Sequence, residues 1–259
     1  MGLLIPTRTA LAARPIEPVE RLSPISLDEL NAAAALQERV DRKYVLTEDQ
    51  LAALIDELAD RLAVLEIDGR RSSAYESVYF DTPALDSYHG AAYKRRRRFK
   101  VRTRSYLDTE TTMLEVKTKG VRKRTVKHRI RHDYDQRSTI GEGGFRFVDT
   151  ETGIEGLGQT LDPTLTTRYD RITLVDLDDV ARLTVDAHLS CTDWTEREVG
   201  LSDKFVVETK SGGAPSVSDR WLWASGIRPE KISKYCTSLA ALHPELPSNK
   251  WHRTLARHF

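Results

Sequence analysis

The sequence predicts an α+β fold, in which eight antiparallel strands make up most of the chain and helices pack outside them. Three features predict it: a strand-rich middle, helical segments towards both ends, and strands on which long ionic side chains alternate with apolar ones. Such a sheet can curl into an eight-stranded antiparallel β-barrel with a polar, cationic interior. It can equally be an ordinary sheet whose charged face lies in water, and the alternation alone does not decide between the two.

The first elements are short. Residues 1–24 contain four prolines and no sustained period, so we expect an N-terminal tail or linker. Residues 26–37 predict a helix capped by Ser26, and residues 42–46 predict a short strand. The capping box Thr47-Glu-Asp-Gln50 then begins a longer helix. Its apolar residues recur at helical spacing: Leu51, Leu54, Ile55, Leu58 and Leu62.

The rest of the chain supplies the other strands and the last helices. Residues 94–106 predict a long basic strand, preceded by a helical turn over 84–93. The other six strands are expected over 75–81, 111–119, 121–131, 164–176, 181–189 and 204–210. Residues 141–158 are rich in glycine and charge and predict a loop with one short element. Helices are expected over 218–225 and 233–242; the folded domain then spans 25–246, with a C-terminal basic tail over 247–259.

The basic strand is the most informative of these elements. Alternate side chains of a strand project to opposite faces, so one face would carry Arg96, Arg98, Lys100, Arg102 and Arg104. Such a row of cations repels itself unless solvent or a polyanion compensates the charge. Ionic residues also share one face on three other strands. These are Glu115, Lys117 and Lys119; Arg182, Asp186 and His188; and Lys204, Glu208 and Lys210.

Composition limits the functions that are possible. The 259 residues include 40 basic and 39 acidic residues, so the formal net charge is only +1 and the positive charge is local. Nucleic acid is therefore not the favoured partner, since nucleic-acid-coating proteins are more often basic throughout. Two cysteines give no disulfide framework and fit a reducing compartment. No apolar run approaches the ~18 residues that a membrane span needs, so we expect a cytoplasmic protein.

Five short motifs follow one another along the chain. They are Arg39-Val-Asp-Arg-Lys43-Tyr44, Val78-Tyr-Phe-Asp-Thr-Pro83, Arg102-Thr-Arg104-Ser-Tyr106, Leu114-Glu115-Val-Lys117-Thr-Lys119 and Lys231-Ile-Ser233-Lys234-Tyr235. Together they resemble the polyphosphate-polymerase domain of the vacuolar transporter chaperone (VTC) family, part of the triphosphate-tunnel (CYTH-like) superfamily. The resemblance implies an eight-stranded antiparallel barrel whose interior is lined with Lys, Arg and Glu. It also implies binding of a nucleoside triphosphate or polyphosphate together with a divalent metal.

The resemblance implies roles for individual residues. The basic residues that hold the phosphate chain, and so form the catalytic set, correspond to Lys43, Arg102, Arg104, Lys117, Arg171, Arg182, Lys231 and Lys234. Lys123 is a further substrate-binding candidate, although the register also allows Lys127, and Tyr169 and Ser233 match polar residues that contact the phosphates. Glu208 matches a metal-ligating glutamate, and Glu115 is a second acidic candidate. The implied cofactor is Mn²⁺ or Mg²⁺.

One departure bears on the reaction. Hydrolytic members of the superfamily carry Glu-x-Glu-x-Lys on the first strand, where this chain has Arg39-Val-Asp41-Arg-Lys43. Replacing the first acid by Arg39 removes a metal ligand, and fewer carboxylates weaken a two-metal hydrolytic arrangement. This favours a polyphosphate polymerase-like enzyme. It would transfer the γ-phosphate of ATP to inorganic phosphate, pyrophosphate or a growing inorganic polyphosphate chain.

Two alternatives stay open. A tunnel triphosphatase or tripolyphosphatase would use the same residues, with water as the attacking group. A non-catalytic binder of polyphosphate or nucleic acid could be built on the basic strand, although Phe99 is the main aromatic residue there for base stacking. Other catalytic motifs do not compete: Gly141-Glu-Gly-Gly144 lacks the spacing of a P-loop, and the seven histidines show no zinc spacing.

Overall fold

Strands dominate the computed structural model, which describes residues 16–33, 40–119, 125–178, 181–201 and 203–259. The strands are β1 (Ser23–Ile25), β2 (Val40–Leu46), β3 (Leu62–Leu65), β4 (Ser72–Asp81), β5 (Arg98–Tyr106), β6 (Thr111–Lys119), β7 (Thr125–His132), β8 (Asp162–Asp176), β9 (Ala181–Asp193), β10 (Glu198–Leu201) and β11 (Phe205–Ser211). The α-helices are α1 (Glu17–Glu20), α2 (Leu27–Ala33), α3 (Glu48–Glu57), α4 (Asp86–Ala92), α5 (Gly141–Thr152), α6 (Val217–Ala224), α7 (Lys234–Leu242) and α8 (His252–His258). Short 3₁₀ turns lie at Leu107–Thr109, Gly158–Thr160 and Asn249–Trp251.

Eight strands form one continuous antiparallel path in the order β2-β11-β9-β8-β4-β5-β6-β7. They are the eight strands that the sequence predicts, so the α+β antiparallel fold class is confirmed. The short strands β1, β3 and β10 join at the side of this path. Among the described residues, no hydrogen-bonded ladder joins β2 to β7 and closes the sheet. The sheet is nevertheless curled, because two adjacent residues reach strands that are not neighbours in it. Ser233 accepts a hydrogen bond from Lys100 on β5, and Lys234 bonds to Asp186 on β9.

Helices cover the convex side of the sheet in two places. One cluster joins α1, α3 and α6 to β2, β8, β9 and β11, and includes Leu51, Leu183 and Val207. A second cluster joins α5 to β4, β5 and β6, around Val101 and Val116. Full burial of such a side chain contributes roughly 1.5–3 kcal/mol. The apolar side chains of each strand therefore fix which face turns towards the helices, and the alternating ionic side chains turn the other way.

Helix α7 lies on the concave side of the sheet and fills one end of it. Its residues Tyr235, Cys236 and Leu239 belong to a buried cluster with Leu165 of β8 and Val206 of β11. The concave side is therefore apolar at the α7 end. The charged residues occupy the rest of this side, next to the first turn of α7.

The predicted helix caps are confirmed. Thr47 Oγ1 accepts from the Gln50 amide at 3.3 Å, and Gln50 Oε1 accepts from the Thr47 amide at 3.1 Å. The Ser26 hydroxyl likewise accepts from the Glu29 amide at 3.2 Å, although residues 34–37 of that predicted helix lie outside the described residues. Helix α3 is shorter than predicted, because Leu62 begins β3 and pairs with β8.

The predicted loop over 141–158 is wrong, because most of it is helix α5. Phe145, Phe147 and Val148 pack this helix against the sheet in spite of its glycines. Gly144 is required there, since a Cβ would lie 3.0 Å from the side chain of Leu114 and 2.5 Å from that of Ile140. The helix therefore depends on tertiary packing that the local composition does not indicate.

Two predicted positions on the ionic strand faces are also wrong. The basic strand begins at Arg98, because residues 94–97 form an exposed turn with Lys94 at φ +55°, so Arg96 does not belong to the inward row. His188 lies at φ +52°, next to an irregularity in the pairing of β8 with β9. Its ring contacts Asp170 at 2.9 Å and is exposed. A one-residue bulge thus moves His188 off the predicted face.

The two predicted tails contain regular structure. Helix α1 and the first two residues of strand β1 fall within residues 1–24, and Val19 and Leu22 are buried there. Helix α8 falls within residues 247–259, where Trp251 and Thr254 are buried. These segments are too short to show a hydrophobic period, so their packing was not visible in the sequence.

Candidate functional site

The strand register places one set of charged side chains on the concave side. Directly opposed residues of an antiparallel ladder project to the same face. Glu208 is opposite Lys43, and Lys210 is opposite Arg182. We name one group of these residues the ionic face. It consists of Asp41, Lys43, Lys100, Arg102, Arg104, Glu115, Lys117, Lys127, Arg129, Arg171, Arg182, Asp186, Glu208 and Lys210 on the strands, with Lys234 of α7.

Glu208 is held between two lysines. Its Oε1 lies 2.6 Å from Lys43 Nζ, and its Oε2 lies 3.3 Å from Lys210 Nζ. Burial opposes ionisation of Glu208, but these two ammonium groups outweigh it and hold the pKa of the carboxyl well below its ordinary value. Burial also lowers the pKa of Lys210 to about 8. Glu208 is therefore an anion at neutral pH, with a cation at each oxygen.

Asp186 repeats this arrangement on β9. Arg171 donates from Nε and Nη2 to its two oxygens at 2.6 and 2.8 Å, and Lys234 bonds to the second of them. Asp186 is only 1% exposed. Burial opposes its ionisation, but Lys234 and Arg171 outweigh the burial and lower the pKa of the carboxyl. This contact ties the start of α7 to the wall of the sheet.

Glu115 is the third carboxylate with two cationic partners. Arg102 donates to its Oε2 from Nε at 2.8 Å and from Nη2 at 2.5 Å, and Lys127 lies 3.3 Å from Oε1. Burial opposes its ionisation, and Arg102, Arg104 and Lys127 together lower its pKa. The guanidinium of Arg102 also donates to the hydroxyl of Tyr79 at 3.0 Å. Glu115 therefore fixes the orientation of a buried arginine.

A row of three lysines crosses strands β5, β6 and β7. Lys117 lies opposite both Lys100 and Lys127 in the two ladders. Lys127 has Glu115 as partner, but within the described ranges no carboxylate pairs with Lys100 or Lys117. The charge of Arg102, together with burial, lowers the pKa of Lys117 to about 6. An anion added at this row would relieve the repulsion and restore the ordinary charge of Lys117.

Aromatic rings separate the cations on the opposite wall. The Tyr169 hydroxyl accepts from Arg104 Nη2 at 3.1 Å, and its ring stacks on Tyr75 with 5.4 Å between centroids. The guanidinium carbon of Arg171 and the ammonium of Lys234 lie 5.3 and 4.4 Å from the centre of the Tyr169 ring. Cation–π contacts of this kind stabilise closely spaced cations without neutralising them.

An open cavity of about 300 Å³ lies beside the ionic face, between β2 and the segment that precedes α7. Lys43 lines one side of it, and Lys231, Ser233 and Lys250 line the other. The Ser233 hydroxyl accepts from Lys100 Nζ at 3.0 Å, and it also caps α7. Residues 231 and 233 are thus brought beside Lys43 by the packing of α7 against the sheet.

Most of the predicted site residues come together. Lys43, Arg102, Arg104, Glu115, Lys117, Arg171, Arg182 and Glu208 lie on the ionic face, with Tyr169 between them, and Lys231, Ser233 and Lys234 lie at or before the start of α7. Lys123 lies outside the described residues, whereas the alternative, Lys127, lies on the ionic face. Glu115 and Glu208 are separated by four strands in the sheet order. A metal held by both would have to bridge the concave side.

The residues predicted from the sequence do not include several members of the site, among them Lys100, Asp186, Lys210 and Tyr79. Lys100, Asp186 and Lys210 were already placed on ionic strand faces by their alternation, so the signal was present and not used. Tyr79 had no such signal, because its contact with Arg102 depends on the pairing of β4 with β5.

Two of the motifs support the structure around the site. Asp81 is buried and accepts from the amides of Ser87 and Tyr88 at 2.8 and 2.9 Å, which fixes the start of α4. It also accepts from the Tyr235 hydroxyl at 2.6 Å. This hydrogen bond joins the Val78–Pro83 motif to the Lys231–Tyr235 motif, and so helps to place α7 on the concave side.

A curled antiparallel sheet with a cationic concave side and a helix at one end has the architecture of the triphosphate-tunnel proteins. The chain belongs to the VTC domain family, because the sequence model of that family matches residues 38–243. The predicted family is therefore confirmed.

One solved structure supports the fold. A putative adenylyl cyclase from Hippeastrum, described as having a dominant triphosphatase activity, is 15% identical over 77% of this chain and 94% of its own, with a TM-score of 0.50. A putative adenylate cyclase from Vibrio parahaemolyticus is 11% identical over 76% of this chain and 95% of its own, with a TM-score of 0.45. No curated protein matches the chain. Within the described ranges, no helix is long and apolar enough to cross a membrane.

Proposed function

We propose that this protein is a metal-dependent, polyphosphate polymerase-like phosphotransferase that moves the γ-phosphate of ATP onto inorganic phosphate, pyrophosphate or a growing polyphosphate chain. The observation that supports it is an excess of positive charge on one concave side. Glu115 and Asp186, like Glu208, are each paired with two cations already. Lys100, Arg104 and Lys117 face the same space with no carboxylate partner in the described part of the chain. A linear phosphate chain has the charge density to neutralise them.

The proposed reaction needs no protein nucleophile. An oxygen of the terminal phosphate of the acceptor attacks the γ-phosphorus of ATP, and a new P–O–P bond forms. The bond between this phosphorus and the β–γ bridging oxygen breaks, and ADP leaves with the electron pair. Positioning and charge neutralisation provide most of the rate in phosphoryl transfer. Arg104 suits a two-point contact with phosphate oxygens, and Lys43 and Lys117 act as point charges. Arg102 and Arg171, which Glu115 and Asp186 hold in place, add positive charge beside them.

A divalent cation, Mn²⁺ or Mg²⁺, is proposed to bind at Glu208. Such a cation neutralises phosphate oxygens and uses few protein carboxylates, so a single glutamate fits this chemistry. Among the described residues, no group of three His, Cys, Asp or Glu side chains is placed to hold a metal. The other ligands would then be phosphate oxygens and water. We propose that Glu115 positions Arg102; its assignment as a second metal ligand stays a prediction.

Hydrolysis is the second candidate, because the Hippeastrum protein with a similar fold is described as a triphosphatase. The same cations would serve, and only the attacking group would differ. The substitution of Arg39 for an acid favours the polymerase, but this residue lies outside the described ranges.

Incubation with ATP and Mn²⁺, followed by a gel stained for polyphosphate and an assay for free orthophosphate, separates the candidates. We expect polyphosphate from the polymerase. Orthophosphate alone would indicate a triphosphatase, and neither product, with polyanion still bound, would indicate a binder. Arg171→Ala should lower turnover roughly 10²–10³-fold, as expected for loss of one charge-stabilising donor.

Arg168→Ala is the matched control. Arg168 lies on the same strand but pairs with Glu76 and is half exposed, with 51% of its side chain accessible. Equal rates for the two variants would remove the support for the ionic face as the reaction site.

A further inference from the structure

The exposed turn before β5, residues 94–97, carries four consecutive cations that the proposed reaction does not use; we name it the basic turn. All four residues are exposed, and within the described ranges no carboxylate pairs with any of them. The neighbouring Tyr93 is also exposed, at 59%. Four adjacent like charges without acidic partners are unfavourable in isolation, so the turn is suited to a polyanion.

The backbone holds the basic turn in one place. Lys94 adopts the left-handed region at φ +55°, and the Arg95 amide donates to the Gly90 carbonyl at 2.9 Å. The guanidinium of Arg98 donates to the Arg95 carbonyl at 2.9 Å. Gly90 allows this close approach, since a Cβ there would lie 3.2 Å from the Cβ of Arg98. The four cations therefore project from a turn that is anchored to α4 and β5.

Positive charge continues from the basic turn to the ionic face. Arg98 is the first residue of β5, and the inward positions after it are Lys100, Arg102 and Arg104. Arg98 also lies opposite Lys119 of β6. Along β5 alone the row from Arg98 to Arg104 covers six residue steps, about 20 Å at the usual rise of a strand. A linear polyanion that lies on the ionic face can thus leave it at the basic turn without crossing an acidic surface on β5.

We propose that the basic turn is an outer binding surface for the part of a polyphosphate chain that extends beyond the ionic face. The inference rests on the proposed function and adds a preference for long chains over short ones. A single-stranded nucleic acid fits less well, because base stacking needs free aromatic rings. Tyr93 is already stacked on His89 at 5.7 Å between centroids and lies under Arg95.

The test compares a short and a long ligand on the same variants. Arg95, Arg96 and Arg97 are all replaced by Ala, and binding of tripolyphosphate and of long-chain polyphosphate is measured in EDTA at low salt. We expect long-chain affinity to fall about tenfold, because each exposed ion pair contributes modestly. Tripolyphosphate affinity should stay within about twofold, since three phosphates remain on the ionic face. The salt dependence of long-chain binding should also become shallower.

The matched control removes three other exposed arginines, Arg21, Arg70 and Arg146, and so changes net charge equally. If both triple variants weaken long-chain binding equally, only net charge matters and the inference is wrong. It is also wrong if tripolyphosphate affinity falls as far as long-chain affinity. Binding of single-stranded DNA is measured in parallel. If the Arg95, Arg96 and Arg97 variant loses DNA binding while its polyphosphate binding is unchanged, the turn binds nucleic acid and the inference is wrong. If the unaltered protein binds no tripolyphosphate at all, the proposed function itself fails.

Discussion

Asp186→Asn tests whether the carboxylates of the ionic face substitute for a bound phosphate chain. The change keeps the shape of the side chain but removes the anion that Arg171 and Lys234 share. Because Asp186 is 1% exposed, two cations would be left in a buried place without a counter-ion. Removing one partner of a buried ion pair costs about 3–5 kcal/mol. For a protein of this size, that corresponds to a fall in Tm of roughly 6–20 °C.

The second part of this prediction concerns ligand rescue. A bound anion stabilises a protein by about 2.7 kcal/mol at a concentration 100-fold above its Kd. Tripolyphosphate should stabilise the Asp186→Asn protein more than the unaltered one, because its oxygens replace the lost carboxylate. Differential scanning fluorimetry over a tripolyphosphate titration, without metal, measures both Tm values. We expect the gap between the two proteins to narrow as ligand is added.

Asp170→Asn is the control for this experiment. Asp170 is on β8, next to the strand that carries Asp186, and it contacts the exposed His188 rather than the ionic face. Its replacement should change the unfolding free energy by less than about 1 kcal/mol. If Asp186→Asn is no more destabilising than this control, or if tripolyphosphate widens the gap, the carboxylates do not act as internal counter-ions.

Three further predictions concern single residues. The pKa of Lys117, lowered to about 6 beside Arg102, lies below that of the unfolded chain, so the unfolded chain binds more protons above pH 6. Unfolding free energy should therefore rise with pH between about 6.5 and 8.5, by up to about 1.4 kcal/mol per unit, and Lys117→Met should flatten that slope in urea titrations. Glu208→Gln should abolish the Mn²⁺-dependent gain in tripolyphosphate affinity while leaving affinity in EDTA unchanged or tighter; a full metal effect in isothermal titration calorimetry would exclude Glu208 as a ligand. Thr47→Ala should cost about 1 kcal/mol of stability by removing the cap of α3, and an unchanged urea midpoint would contradict this.

Alternation along strands was enough to predict which ionic side chains share a face, but not that this face is concave. The side chains at Glu115, Lys117, Glu208 and Lys210 project as their positions in the sequence require, because apolar neighbours on the other face are buried under helices. One failure lies where a single residue breaks the period. At His188 a bulge turns the side chain to the opposite face of the strand, and no local property of the sequence marks the bulge.

Long-range pairing could not be predicted in the same way. The contact of Asp186 with Lys234 forms only because α7 packs on the concave side, and it joins residues 48 positions apart in the chain. Helix α5 is similarly hidden, since the three glycines in its first turn disfavour a helix unless the sheet packs against it. In both cases the deciding interaction is tertiary, and only the resemblance to a family pointed to Lys234 beforehand.

The division of charge on the ionic face explains how one site can be stable when empty and still attract a polyanion. If every cation were unpaired, mutual repulsion in a half-buried space would oppose folding. If every cation had a carboxylate, a phosphate chain would gain little by binding. Here the paired cations surround Glu115, Asp186 and Glu208, where they are oriented by short contacts. Lys100 and Lys117, which have no carboxylate partner in the described part of the chain, lie opposite each other on β5 and β6. The first phosphate should therefore bind there, and the oriented cations should then engage the rest of the chain.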